Sequence, residues 1–199
     1  MNMLMQFQDI VENIDYSYIE DLNLELPLEL PKVFESEKEQ TRIYKKIEST
    51  IRSSYEYNKF LSHIKSELNI TRCVITKEDL EEVKIEFHHF PLTLYELVDI
   101  VYTTFAEKNN LFSSFDVAKE VMKLHYNKVV GLIPLTKTLH EKAHSSNIYF
   151  PKQFILFNFE KILSMDYIVK DEYKIKITRA ANTTVDEFLE RCKTILWPT

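Results

Sequence analysis

Apolar and polar positions divide this chain into short strands and longer helices. The stretch Leu22–Leu30 alternates, which suits a strand, and Pro27 confines it to a sheet edge or an extended arm. Residues 36–68 read as one long helix, with Ile43, Ile47 and Ile51 in a stripe continued by Tyr55, Leu61, Ile64 and Leu68. The segment 71–76, "TRCVIT", reads as a short strand. The segment 81–90, "EEVKIEFHHF", reads as another, with Val83, Ile85 and Phe87 on one face and an end at Pro91. Thr93 and Glu96 have capping-box spacing and open a helix. A second helix over 113–127 turns Val117, Val121 and Leu124 inward. Residues 129–135 read as a buried strand, followed by a helix over "TKTLHEKAHSS" capped by Thr136 or Thr138. The last quarter is aromatic from Tyr149 to Phe159. "YKIKIT" at 173–178 alternates like a strand, and "TVDEFLERCKTIL" at 184–196 reads as a helix. The pattern predicts an α+β, mostly helical protein in three parts: an N-terminal arm and helix (1–70), a strand-and-helix region (71–150) and a C-terminal segment (151–199).

Composition narrows the classes. Of the 199 residues, 45% are hydrophobic and 13% aromatic, enough for a packed core. The formal net charge of −6 means that any nucleic-acid contact needs a local basic face. Five lysines between Lys119 and Lys142 provide a candidate for one, as well as an ordinary solvated surface. Two cysteines outside any CxxC pair argue against a disulfide scaffold and for a reducing, cytoplasmic setting. No apolar run is long enough to span a membrane. The single glycine, Gly131, excludes a glycine-rich phosphate loop. Its scarcity, beside many Lys, Asn, Ile and Tyr, has the look of an AT-rich genome, as in Gram-positive bacteria and their phages. The long N-terminal helix is a candidate for self-association.

Four of the six histidines fall in two short stretches, "EFHHFP" at 86–91 and "GLIPLTKTLHEKAH" at 131–144. On a helix His140 and His144 share a face, which makes half of a metal site. His88 and His89 at a strand end point to opposite faces. One can therefore complete the metal shell while the other stays unligated as a base. Glu86 is placed to support a ligating histidine from behind.

This order, a strand with HH, an insertion, a short strand and a helix with HxxxH, resembles the His-Me finger (HNH) nuclease family. The likeness is closest to the HH…HxxxH version of colicin-type DNases and phage-encoded HNH-like proteins, and it covers about residues 84–148. The resemblance implies a ββα metal finger, flanked by an N-terminal helical extension and a C-terminal α/β segment. It implies a divalent-metal-dependent endonuclease acting on nucleic acid, DNA foremost, in the host cytoplasm. In that reading His88, His140 and His144 hold one ion (Mg, Mn, Zn or Ni) and His89 is the general base. Lys128, Lys137 and Lys142 face phosphate. Gly131 stands where the family has an Asn that orients the base, with Asn127 as the nearby substitute. The alternative on the same scaffold is a non-catalytic protein that binds metal, DNA or a host partner. "HEKAH" also matches the HExxH pattern of zinc peptidases with Glu141 as base, but that reading leaves His88 and His89 unexplained. His63 and His125 read as structural residues.

Overall fold

A computed structural model describes residues 30, 33–77, 84–108, 111–145 and 148–195 of the chain. Helix α1 (Glu37–Ser53) is followed by α2 (Tyr55–Glu67), strand β1 (Ile85–His89), α3 (Leu94–Glu107) and α4 (Ser114–Tyr126). Strand β2 (Leu132–Thr136) runs into α5 (Lys137–Ser145), and two short 3-10 turns lead to α6 (Asp171–Asn182) and α7 (Val185–Ile195). The described residues are thus mostly helical, with one two-stranded antiparallel sheet among them. No helix among the described residues is long and apolar enough to cross a membrane.

The helix expected over 36–68 is two helices, broken at Ser54. That residue is extended (φ −67°, ψ 148°); its hydroxyl donates to the Ile51 carbonyl at 2.8 Å and accepts from the Tyr57 amide at 3.1 Å. One serine therefore closes α1 and opens α2, by the side-chain competition that makes serine a good cap. The break lets Tyr57, Phe60 and Ile64 face a different direction from Ile43, Ile47 and Ile51. Helix α1 packs on α3 and α4, and α2 packs on α1 and α4. Helix α3, with its expected Thr93–Glu96 capping box, is buried along most of its length. It carries two buried carboxylates, Glu96 of the capping box and Asp99; Asp99 accepts from Tyr44 Oη at 3.1 Å and Tyr173 Oη at 2.6 Å and pairs with Lys170 at 2.5 Å. A buried carboxylate is tolerated only when so compensated, and here the partners tie α1, α3 and α6 together.

Two further expectations change. "TRCVIT" forms a turn with an isolated bridge residue, Arg72, rather than a strand. Its Val74 amide still reaches the Pro134 carbonyl of β2 at 3.0 Å. "YKIKIT" is helical. Tyr173, Ile177 and Ala180 are buried at helical spacing, whereas Ile175, which strand alternation would turn inward with them, is 65% exposed. The expected strand over Leu22–Leu30 lies outside the described residues except for its last position, Leu30, which is buried. Val83, at the start of the strand read over 81–90, also lies outside them.

The sheet pairs Ile85 with Thr136, Phe87 with Pro134 and His89 with Leu132, and the ladder extends through Phe90 N–H to the Gly131 carbonyl at 3.0 Å. The Phe90–Pro91 peptide that follows is cis. Beyond the ladder, Leu132 bridges to Leu156, so β2 is flanked on both edges. Gly131 sits where the backbones come closest. A Cβ there would run into the Phe90 carbonyl oxygen and lie 2.9 Å from Ile155 Cγ2. The lone glycine of the chain is thus required by backbone approach, at an ordinary φ. Gly131→Ala is expected to destabilise the fold by about 3 kcal/mol, the upper end for forced overpacking. That corresponds to a melting temperature lower by roughly 10 °C, measurable by calorimetry. A wild-type melting temperature in the variant would show that the strands can move apart at no cost.

Candidate metal centre

Strand alternation sorts the residues of β1 between two environments. Glu86 and His88 share one face, Phe87 and His89 the other. The first face meets α5, which packs on both strands. Thr136, the last residue of β2, caps that helix by accepting from the Leu139 amide at 3.4 Å. The chain thus passes from the ladder straight into a helix that returns His140 and His144, one turn apart, to the Glu86–His88 face.

The three imidazoles converge. Ring centroids are 5.2 Å apart for His88–His140, 4.7 Å for His88–His144 and 4.7 Å for His140–His144. One ring nitrogen from each lies within 4.8 Å of the other two. His140 Nε2 and His144 Nε2 are 3.0 Å apart, close to the ~3.3 Å edge that two nitrogens make on a tetrahedral ion with ligand bonds near 2.05 Å. His140 Nδ1 donates to Glu86 Oε2 at 2.8 Å, which fixes the tautomer that leaves Nε2 as a lone-pair donor. The other Glu86 oxygen pairs with Lys84 at 2.9 Å. Lys84, then His140, hold the Glu86 carboxyl below the usual carboxylate range, so it is anionic behind the ligand. His88 is buried, with Phe90 and Phe150 beside it, and its Nδ1 is a buried nitrogen with no hydrogen-bond partner. Native structures rarely leave such an atom unexplained.

Burial, together with the charges of its neighbours His144 and His140, lowers the His88 pKa to about 3. Burial and His140 lower that of His144 as well. Both rings are therefore neutral near pH 7, the state in which imidazole binds metal.

The opposite face of β1 is closed. His89 is buried, its Nε2 3.0 Å from His125 Nε2, and it stacks on Tyr57 with centroids 6.1 Å apart. His125 Nδ1 donates to the Val121 carbonyl at 2.8 Å, so its Nε2 accepts from His89. No local pattern marks this partnership, because His125 stands alone in a helix stripe and 36 residues from His89.

The other expected residues disperse. Asn127 is the C-cap of α4, with its amide on the Lys123 carbonyl. Lys128 lies over the Phe157 ring, Lys137 pairs with Glu141 at 3.8 Å, and Lys142 is half-buried on α5. Glu141 is exposed, and the histidine that joins the HExxH pair comes from the upstream strand rather than from a downstream residue. Cys73 and Cys192 are free and buried.

The chain belongs to the family described as "Bacteriophage G278-like virion protein", whose model matches residues 6–194. No curated protein and no solved structure matches it. The family overturns the resemblance to HNH nucleases and the endonuclease function drawn from it. A match along nearly the whole chain outweighs a likeness confined to about residues 84–148, and it points to a structural particle component. Among the described residues the structure shows no ββα metal finger, and the base role given to His89 rested on that same resemblance; the peptidase alternative and the nuclease-like form of the non-catalytic one fall with the endonuclease function. The phage origin suggested by composition agrees with the family.

The buried histidine pair makes stability depend on pH. Burial lowers the His125 pKa to about 4. The unfolded chain, with an ordinary histidine near 6.5, takes up the proton first. The contribution is therefore present above about pH 6.5 and is lost as the pH falls towards 4. Between pH 7 and 5 the expected loss from His125 alone is about 2 kcal/mol. Urea denaturation at the two pH values reads it, and the loss should shrink in His125→Asn. Equal stability at both pH values would mean that the pair is not sequestered.

Proposed function

We propose that this protein is a structural component of the phage particle that binds one divalent transition-metal ion through His88, His140 and His144. The observation that carries the metal reading is the convergence of three imidazole nitrogens, one of them buried beside an orphaned Nδ1, with a carboxylate behind a second. Family membership supports the place in the particle.

The donor set selects among ions. Three neutral nitrogens with no carboxylate oxygen among them suit Zn²⁺, Ni²⁺ or Co²⁺, whereas Mg²⁺ prefers oxygen and keeps its water. The ion acts as a staple. It joins the buried end of β1 to α5, a short helix followed by residues outside the described structure. Binding to the folded state alone would add about 2.7 kcal/mol at a hundredfold excess over Kd. For a component that must keep its shape in an assembled shell or tail, such a staple is useful, and it needs no catalytic group.

Two measurements test the reading. Mass spectrometry of gradient-purified particles should find the chain as a regular constituent. Its presence only in the soluble fraction of infected cells would remove it from the particle. With Zn²⁺, the purified metal-free protein should bind one equivalent in calorimetry and melt roughly 5–10 °C higher. His140→Ala and His144→Ala lie on the accessible side and should fold but lose the shift. Glu86→Gln should weaken binding about 10- to 100-fold. A Zn²⁺ shift that survives both histidine variants would overturn the assignment of the site.

A further inference from the structure

We infer that the ion at this site keeps a fourth coordination position open towards solvent and fills it with a small anion from outside the chain. The inference rests on the metal reading above and adds what completes the coordination shell.

The first ground is the donor count. Among the described residues the converging group has three members, all histidines, and no carboxylate or thiolate joins them. A tetrahedral ion with three protein ligands leaves one vertex to an external donor; closed structural sites use four protein ligands. The second ground is direction. Burial falls across the trio, from His88 at 5% exposed, through the half-buried His140, to the exposed His144. Phe90, just after β1, and Phe150, in the segment after α5, stand beside His88, so the apolar wall surrounds His88 and, among the described residues, the open side is at His144.

The third ground is charge. Three neutral imidazoles leave the ion's two positive charges uncompensated. Among the described residues the carboxylates that act on the site are already matched. Glu86 is paired with Lys84 at 2.9 Å, and Glu48 with Arg52 at 2.9 Å, on the last turns of α1. Both Glu48 and Arg52 act electrostatically on His144, and Arg52 also on His88. Each cation cancels its carboxylate, so the site as a whole stays positive and favours an anionic fourth ligand over a neutral one.

Cobalt(II) reports coordination directly through its visible bands. The full chain loaded with Co²⁺ is titrated with azide as the probe anion. The expected result is a band set that shifts saturably with azide, in wild type and in Glu48→Gln alike. A Co²⁺ spectrum dependent on His88, His140 and His144 but indifferent to azide would overturn the inference while leaving the metal site in place. A changed azide-free spectrum in Glu48→Gln would also overturn it, by placing that carboxylate on the ion. Failure of Co²⁺ to bind at all, or equal binding by His88→Ala and His144→Ala, would instead sink the metal reading beneath it.

Discussion

The short ladder between β1 and β2 is the constraint on which the other features depend. Because successive strand side chains point to opposite faces, His88 and His89 cannot serve the same environment once Phe87 faces Pro134 and His89 faces Leu132. A slip of one residue would exchange them, placing His88 against Tyr57 and His125 and His89 against α5. The register is held at its far end by the Phe90–Gly131 hydrogen bond, and Gly131 is the residue that lets the backbones come that close. The single glycine of the chain and its division of histidines are thus one structural fact seen twice.

The two faces then solve the problem of a buried imidazole in different ways. His89 and His125 satisfy each other and a backbone carbonyl, so that pair is complete within the protein. His88 has two more imidazoles as neighbours but keeps an unpartnered nitrogen. The first arrangement is what a core does with polar groups; the second is the kind of arrangement a metal resolves. Helix α2 contributes Tyr57 and Phe60 to the closed face, and it can do so because Ser54 turns the chain between α1 and α2.

Legibility in the sequence followed the range of the interactions. Local signals were readable: the Thr93–Glu96 box, the inward stripes of the central helices and the i, i+4 histidine pair all act within a turn or two. The break at Ser54 is hidden in the sequence because apolar residues continue across it, and only the cap hydrogen bonds distinguish one helix from two. Within the helix at 171–182, Tyr173, Ile175 and Ile177 alternate as a strand would. Burial of Ala180, and the anchoring of Tyr173 to Asp99 seventy-four residues away, decide otherwise. The His89–His125 pair has no local signature at all.

The histidine cluster and the family answer different questions, and their disagreement shows why. Two histidines four apart on a helix and a third on the strand before it will converge whenever that helix folds back on that strand, whatever the ancestry of the chain. The motif therefore carried information about geometry and none that could separate a nuclease from a particle protein. What separates them is the remainder of the chain. The residues that a hydrolytic reading needed beside the metal are spent on structure here: His89 on His125, Gly131 on the approach of two backbones, Asn127 on ending a helix. Three histidines gathered at one point, with the would-be catalytic neighbours given over to packing and capping, fit the proposed role of holding an ion in place better than a hydrolytic one.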